Sequence, residues 1–304
     1  MMIVTSGQQY TDIDALACAV AYAELLRFEG KKAEAILPGP LNHSVSPTVR
    51  SWDFSFSSEG AAEGDQYVIV DVSNPASFAR FVKKENIVEI FDHHYGFEEE
   101  WQDALGENCH IETIGACATL VWEEIIRRGY ASACSKSSAR LLLTAIISNT
   151  LNFGAHISNE RDRRAYEQLH DMADVAPDWT ARYFAEQEQY VLQNVPAAIQ
   201  GDTKIAIIPG FEEGVVVGQM ELWDSGAFLK AHMNIIKKTL EGYGHAHWIM
   251  CLPSVGEGKT YFYTESPDLY SLFGKILNIG FDNGLAVAPE LWLRKEIRKK
   301  LLEI

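Results

Sequence analysis

Two patterns of hydrophobic and polar positions recur along the first half of the chain. Short apolar runs predict five β-strands, at residues 2–5, 34–37, 67–70, 87–91 and 111–114. Longer segments between them predict helices that pack on a sheet, at residues 14–28, 119–128 and 138–147. Strands that alternate with helices favour a parallel sheet, so we expect an α/β fold.

The second half shows a smaller α/β pattern. Residues 177–200 begin as a helix, then become polar and reach Pro196, which is typical of a linker. Beyond them, strands are predicted at residues 204–209, 214–220, 245–252 and 259–264, and helices at 225–241 and 289–301. A chain of 304 residues fits two domains of about 100 to 200 residues each. We therefore expect one domain at residues 1–190 and another at 198–304.

Composition and net charge limit the classes of molecule that the protein is expected to bind. Hydrophobic residues make up 47% and charged residues 22% of the chain, as in globular proteins. With 42 acidic and 26 basic residues, the net charge of −16 argues against binding a nucleic-acid duplex. A small anionic substrate would therefore need bound metal and a few placed cations.

The sequence also predicts a cytoplasmic protein, on three grounds. The N-terminus lacks the pattern of a signal peptide, and no apolar run approaches the ~20 residues of a membrane span. The five cysteines are scattered and form no C-x-x-C pair, so we interpret them as reduced.

Acidic, amide and histidine side chains follow the predicted strands. The positions are Asp12 and Asp14, Asp71, Asp92-His93-His94 and, after a helix, Asn149. Because the carboxyl ends of parallel strands share one edge of a sheet, these side chains should converge. Clustered carboxylates raise each other's pKa unless cations neutralise them. Mixed carboxylate and imidazole ligands therefore predict a pair of divalent ions, Mn²⁺ or Mg²⁺, with histidine favouring Mn²⁺.

Each position also has a plain structural interpretation. Asp12 is a common type of helix cap, and Asp71 is common at a strand-ending turn. Adjacent histidines after an apolar strand, as at His93 and His94, are rarer. All of these positions fall at successive strand ends, and this coincidence favours the metal site.

These motifs resemble those of the DHH phosphoesterase superfamily. The matching segments are Gln8-Gln9-Tyr10-Thr11-Asp12-Ile13-Asp14-Ala15, Val70-Asp71-Val72-Ser73, Asp92-His93-His94 and Ile147-Ser148-Asn149-Thr150. The second half, with Gly218-Gln219-Met220-Glu221 and Arg294-Lys295, is similar to the DHHA2-type domain of manganese-dependent, family II inorganic pyrophosphatases and of exopolyphosphatases, including the prune proteins.

The resemblance implies a parallel-sheet DHH domain and a smaller α/β DHHA2-like domain, with the active site in the cleft between them. It implies that Asp12 and Asp71 bind one metal ion and that Asp14, Asp71 and His93 bind the other. His94 and Asp92 are the expected catalytic residues, with His94 facing the substrate phosphate. The residues expected to bind phosphate are Arg294, Lys295 and Lys204.

Two positions depart from the pyrophosphatase pattern. Gln8 stands where those enzymes carry histidine, and Asn149 stands where they carry aspartate. An amide can bind metal through its oxygen but brings no negative charge, so we expect weaker metal affinity at both positions. The exopolyphosphatase branch also carries an amide residue at the position of Gln8.

Three functions stay open at this point. The leading hypothesis is hydrolysis of a phosphoanhydride, in pyrophosphate or short polyphosphate, by a metal-activated hydroxide. The second is an oligonucleotide or cyclic-dinucleotide phosphodiesterase. The third is a weakly active or inactive phosphate- or nucleotide-binding relative, because of Gln8 and Asn149. The oligomeric state is open between a monomer and a homodimer.

Overall fold

The computed structural model describes residues 1–302, which divide into two compact units. The first unit comprises residues 1–153 and 157–180. The second comprises residues 154–156 and the described residues from 181 onward.

The first unit is built on a five-stranded parallel sheet. Its strands are β1 (Met2–Thr5), β2 (Ala33–Ala35), β3 (Gln66–Val70), β4 (Ile87–Asp92) and β5 (Cys109–Ile111). Its helices are α1 (Ile13–Phe28), α2 (Pro47–Arg50), α3 (Glu98–Leu105), α4 (Cys117–Arg127), α5 (Lys136–Asn149) and α6 (Glu160–Ala173). Helix α7 (Trp179–Gln193) begins at the end of this unit.

Strand order explains where a ligand can bind. The strands lie in the order β2-β1-β3-β4-β5, and every neighbouring pair is parallel. The order reverses between β1 and β3, and open α/β sheets bind ligands beyond the carboxyl ends of the strands at such a point. The residues that follow β1, β3 and β4 are therefore placed at one edge of the sheet.

Helix α1 lies in the core of this unit. Almost all of its side chains are buried, as the continuous apolar sequence predicts. Asp12 caps its N-terminus, since the Asp12 Oδ1 atom accepts the backbone N–H of Ala15 at 2.9 Å. Gly30, just beyond its C-terminus, has a φ of 78°, which favours glycine.

The second unit has a mixed sheet in the order β10-β9-β8-β7-β6. Its elements are α8 (Val195–Gly201), β6 (Thr203–Ile208), β7 (Phe211–Gln219), α9 (Ser225–Glu241), β8 (His247–Ser254), β9 (Lys259–Tyr263), α10 (Pro267–Leu277), β10 (Leu285–Ala288) and α11 (Arg294–Leu302). Only β7 and β8 pair in parallel among these described strands. Two apolar clusters form its core; Val216, Leu240 and Trp248 belong to one, and Val217, Phe262 and Phe273 to the other.

Most predicted elements are confirmed, with three corrections. The fifth strand was predicted at residues 111–114, but β5 ends at Ile111. The C-terminal helix was predicted from residue 289, but α11 begins at Arg294. The linker prediction is wrong, because α7 and α8 occupy most of residues 179–201. Pro196 lies in the first turn of α8, where its missing N–H breaks no hydrogen bond.

The predicted domain boundary also lies in this helical stretch. We expected it near residues 190–198, whereas the compact units divide between residues 180 and 181. The units and the predicted domains therefore differ in where they place α7.

Two further expectations concern the chain as a whole. Within residues 1–302, no helix combines the length and the apolar character needed to cross a membrane. All five cysteines are free thiols, and Cys18, Cys117 and Cys251 are buried.

Candidate metal centre

Three side chains at the ends of two neighbouring strands could hold a metal ion. Asp71 follows β3, and His93 and His94 follow the last residue of β4. Their candidate ligand atoms all lie within 4.8 Å of one another. Nε2 of His93 lies 3.3 Å from Oδ1 of Asp71. The sheet therefore brings together three of the predicted site residues.

Asp71 has an unusual backbone. Its φ is 57°, a left-handed conformation that costs a residue other than glycine about 1 to 3 kcal/mol. Its N–H donates to the carbonyl of Phe91 at 2.8 Å, which ties the turn to β4. Such strain is common at functional sites, where the surrounding structure holds it in place.

The electrostatics at Asp71 fit a cation. Burial, followed by the negative charges of Asp12 and Asp14, raises the pKa of the Asp71 carboxyl well above its usual range. Its Oδ1 atom is buried and accepts no hydrogen bond within residues 1–302. A divalent cation would lower this pKa and give the oxygen a partner, so the residues present fit the expected metal.

Asp92 orients His94. Oδ1 of Asp92 accepts the backbone N–H groups of His93 at 2.8 Å and of His94 at 3.2 Å. The same oxygen lies 2.7 Å from Nδ1 of His94. Because this oxygen acts as an acceptor, Nδ1 is the donor, which in a neutral imidazole leaves the lone pair on Nε2 of His94. Asp92 therefore fixes the orientation of the His94 ring.

Asp14 is held by a helix N-terminus. Its Oδ2 accepts the backbone N–H of Cys117 at 2.9 Å, and its Oδ1 accepts that of Ala118 at 2.8 Å, both in the first turn of α4. Oδ2 also lies 3.8 Å from Nε2 of His93, so Asp14 borders the metal centre. Cys18 donates its S–H to Oδ1 at 3.5 Å, and burial raises the pKa of this thiol, which keeps it protonated.

The metal roles of Gln8 and Asn149 stay predictions. The Gln8 N–H donates to the carbonyl of Ser77 at 3.0 Å. Asn149 is the last residue of α5, and its amide donates to the carbonyl of Ala145 at 3.5 Å. Asp12 caps α1, as its plain structural interpretation expected, while its charge acts on Asp71.

The three expected phosphate-binding cations lie in the second unit. Lys204 is exposed on β6, and Arg294 and Lys295 begin α11. Nη2 of Arg294 lies 2.5 Å from Oδ1 of Asp202, and its Nη1 donates to the Asp202 carbonyl at 2.9 Å. This ion pair offsets part of the Arg294 charge and fixes the direction of its guanidinium.

Gln219 and Glu221, which lie in a segment that the sequence singled out without assigning it a role, interact near Arg294. Oε1 of Gln219 accepts the Arg294 backbone N–H, and Nε2 of Gln219 donates to Glu221. Burial, followed by the charge of Asp202, raises the pKa of Glu221 from 4.5 to about 7. Glu221 is therefore partly neutral near pH 7.

Sequence reasoning also missed Asp162. This buried residue of α6 accepts hydrogen bonds from Gly115, Thr119 and Asn159. The spacing of Asn159 and Asp162 is that of a capping box, which could have identified the start of α6. It could not have shown that α6 reaches the turn before α4.

The fold and the site together define the class of protein: an α/β protein with a candidate metal centre of carboxylates and imidazoles at the carboxyl edge of its parallel sheet. Comparison with known families makes this specific: residues 2–146 match the model of the DHH family, N-terminal domain. The first unit is therefore similar to a DHH-family N-terminal domain over these residues, and the expected resemblance is confirmed.

A curated relative is also similar to this chain. The chain is 30% identical over 183 residues to a protein of Bacillus cereus named as a probable manganese-dependent inorganic pyrophosphatase. That match covers 58% of this chain and 57% of the relative, so the chain spans little more than half of the length of the relative.

Two solved structures show the same fold. A Methanococcus jannaschii protein, provisionally assigned as a family II inorganic pyrophosphatase, matches with a TM-score of 0.73 and 18% identity, covering 99% of this chain and 100% of that one. An exopolyphosphatase-related protein of Bacteroides fragilis matches with a TM-score of 0.52 and 16% identity, covering 99% and 90%. The α/β fold class is therefore confirmed.

Proposed function

We propose that this protein is a metal-dependent phosphohydrolase that cleaves phosphoanhydride bonds in pyrophosphate or short polyphosphate. The observation that carries the proposal is the cluster of Asp71, His93 and His94 at the carboxyl edge of a DHH-family sheet. The relatives named as manganese-dependent pyrophosphatases support the choice of substrate and of Mn²⁺ over Mg²⁺. A cytoplasmic location, expected from the sequence, belongs to the same proposal.

In this proposal Asp71 and His93 hold metal, and Asp12 and Asp14 complete a site for two ions. Divalent cations, when bound, lower the pKa of water and neutralise phosphate oxygens. The same proposal assigns Gln8 and Asn149 as weaker, uncharged ligands.

In the same proposal, side chains of the protein accept a proton and bind the phosphate. The Asp92 carboxylate holds His94 with Nδ1 protonated, so Nε2 of His94 can accept a proton or a hydrogen bond near the reacting phosphate. Arg294, Lys295 and Lys204 supply positive charge to phosphate oxygens in an otherwise acidic protein of net charge −16.

A panel of substrates tests the proposal. Purified protein is incubated with pyrophosphate, tripolyphosphate or a dinucleotide, with Mn²⁺ or Mg²⁺, and the products are quantified. We expect phosphate release from pyrophosphate or tripolyphosphate. Release of mononucleotide from the dinucleotide alone would instead support the phosphodiesterase alternative, and no product from any substrate would refute the hydrolase.

The third alternative, a weakly active phosphate-binding relative, is tested by Asn149→Asp. This change restores the charge that the pyrophosphatase pattern carries at this position. A rise of about tenfold or more in phosphate release and in Mn²⁺ affinity would show that Asn149 limits the metal site. An unchanged rate and affinity would show that Asn149 is not a ligand.

A further inference from the structure

The Asp14 carboxylate depends on the turn that begins α4. Both of its oxygens accept backbone N–H groups of this turn, from Cys117 and Ala118. Asp14 is fully buried, so no solvent hydrogen bonds can replace these two. The position of residues 115–119, hereafter the α4 turn, therefore determines where the Asp14 oxygens lie.

The α4 turn is in turn held by Asp162 from the start of α6. Oδ2 of Asp162 accepts the Gly115 N–H at 3.1 Å, and Oδ1 accepts the Thr119 hydroxyl at 2.7 Å. Oδ2 also accepts the Asn159 N–H at 2.9 Å, which anchors Asp162 to its own helix. Both ends of the turn are thus bonded to one buried side chain.

Close packing leaves the turn little freedom. A Cβ atom added at Gly115 would lie 2.6 Å from Oδ2 of Asp162 and 2.6 Å from Cγ2 of Thr150. Real Cβ contacts are longer, so only glycine lets the turn approach α6 this closely. Thr150 directly follows Asn149, and the same contact therefore joins the end of α5 to the turn.

We propose that Asp162 is a positioning residue of the metal centre: it fixes the α4 turn, and the turn fixes the Asp14 carboxylate beside His93. The inference rests on the proposed function for its metal, but its geometric part concerns the metal-free protein. Asp162 touches no reacting group and acts through Asp14 alone.

Two measurements on the full chain test the inference. The first is hydrogen exchange, followed by mass spectrometry, of peptides covering residues 114–120 in chelator-treated protein. The second is the Mn²⁺ dissociation constant from calorimetry. For Asp162→Ala we expect faster exchange in these peptides and Mn²⁺ affinity lower by about 10- to 100-fold, as for other residues that orient metal ligands.

A conservative variant and a matched control separate positioning from stability. Asp162→Asn should restore most of both readouts, because its amide oxygen can accept the backbone N–H groups while its NH₂ donates to the Thr119 hydroxyl. The control is Glu24→Ala. The Glu24 carboxylate also receives three hydrogen bonds at a helix start, from Ser135 N–H, Ser135 Oγ and Ser138 Oγ of the α5 terminus. It should lower the unfolding temperature without changing exchange at residues 114–120 or Mn²⁺ affinity.

Several outcomes would overturn the inference. Unchanged exchange and affinity in Asp162→Ala, or equal losses in Glu24→Ala, would overturn the inference. If Asp162→Ala does not fold, Thr119→Val removes one of the three donors, and Thr119→Ser restores it; identical exchange in these two variants would likewise overturn it. A parent protein that binds Mn²⁺ but hydrolyses nothing would refute only the proposed function.

Discussion

At the scale of single residues, Asp92 determines which nitrogen of a neutral His94 imidazole carries the proton. Asp92→Ala removes the acceptor for the His94 imidazole and for two backbone N–H groups. We expect phosphate release with Mn²⁺ to fall about 10- to 100-fold, because the imidazole loses its orientation and tautomer. Asp92→Asn keeps an acceptor oxygen but loses the charge, so its loss should be smaller.

Steady-state kinetics at saturating Mn²⁺ measure this effect. Asp103→Asn, on the exposed surface of α3, removes the same charge away from the site and serves as the control. If Asp92→Ala retained the rate of the Asp103→Asn control, Asp92 would not orient a catalytic histidine.

Glu221 makes a second prediction, on pH. Its pKa is about 7 in the folded protein and 4.5 in the unfolded reference, so the folded state binds the proton more tightly. Its contribution to stability is therefore fully present below pH 4.5 and is lost as the pH rises to about 7. Glu221→Gln should flatten the fall in unfolding free energy between these pH values, as measured by urea titration. An identical pH profile in parent and variant would contradict the raised pKa.

At the scale of elements, a buried ionic network joins α1, β4 and α4. Arg128, at the C-terminus of α4, donates to the Tyr22 hydroxyl at 2.6 Å and to the buried Glu89 at 2.7 Å. Arg128→Met would leave the buried Glu89 without its guanidinium partner, and we expect a loss of about 3 kcal/mol in unfolding free energy.

The adjacent Arg127 provides the control for that experiment. Its side chain is 67% exposed, against 16% for Arg128, and it pairs with Glu124. Arg127→Met should cost under about 1 kcal/mol. Equal losses for the two variants, in urea unfolding followed by circular dichroism, would show that the network adds nothing beyond a surface ion pair.

Elements with a clear apolar period were predictable, and polar ones were not. Strand β1 and helix α9 lie at the predicted residues, because the spacing of their apolar residues matches the side chains that are buried. Helix α6 was missed because its face toward the core is narrow and most of its residues are polar. Helix α8 was missed because Pro196 suggests a break unless the start of the helix is known.

The site was predictable where it follows strands. Asp71, His93 and His94 come directly after buried strands, and strand order alone brings them to one edge. Asp162 lies 148 positions beyond Asp14 and acts through a turn between them, so only the three-dimensional contacts of α6 reveal it.

At the scale of the whole molecule, two compact units carry different parts of the proposed chemistry. The first contains the carboxylates and imidazoles, and the second contains Arg294, Lys295 and Lys204. In the proposed function, a chain of net charge −16 acts on an anion because these cations are placed locally and do not arise from the overall field.

The most direct test of the central claim is the rate of phosphate release from pyrophosphate and tripolyphosphate as a function of Mn²⁺ concentration, for the parent and for His93→Ala. We predict a rate that rises to saturation with Mn²⁺ in the parent and is reduced at least about 100-fold in the variant. A parent protein that releases no phosphate at any Mn²⁺ concentration, or a variant that matches it, would contradict the account.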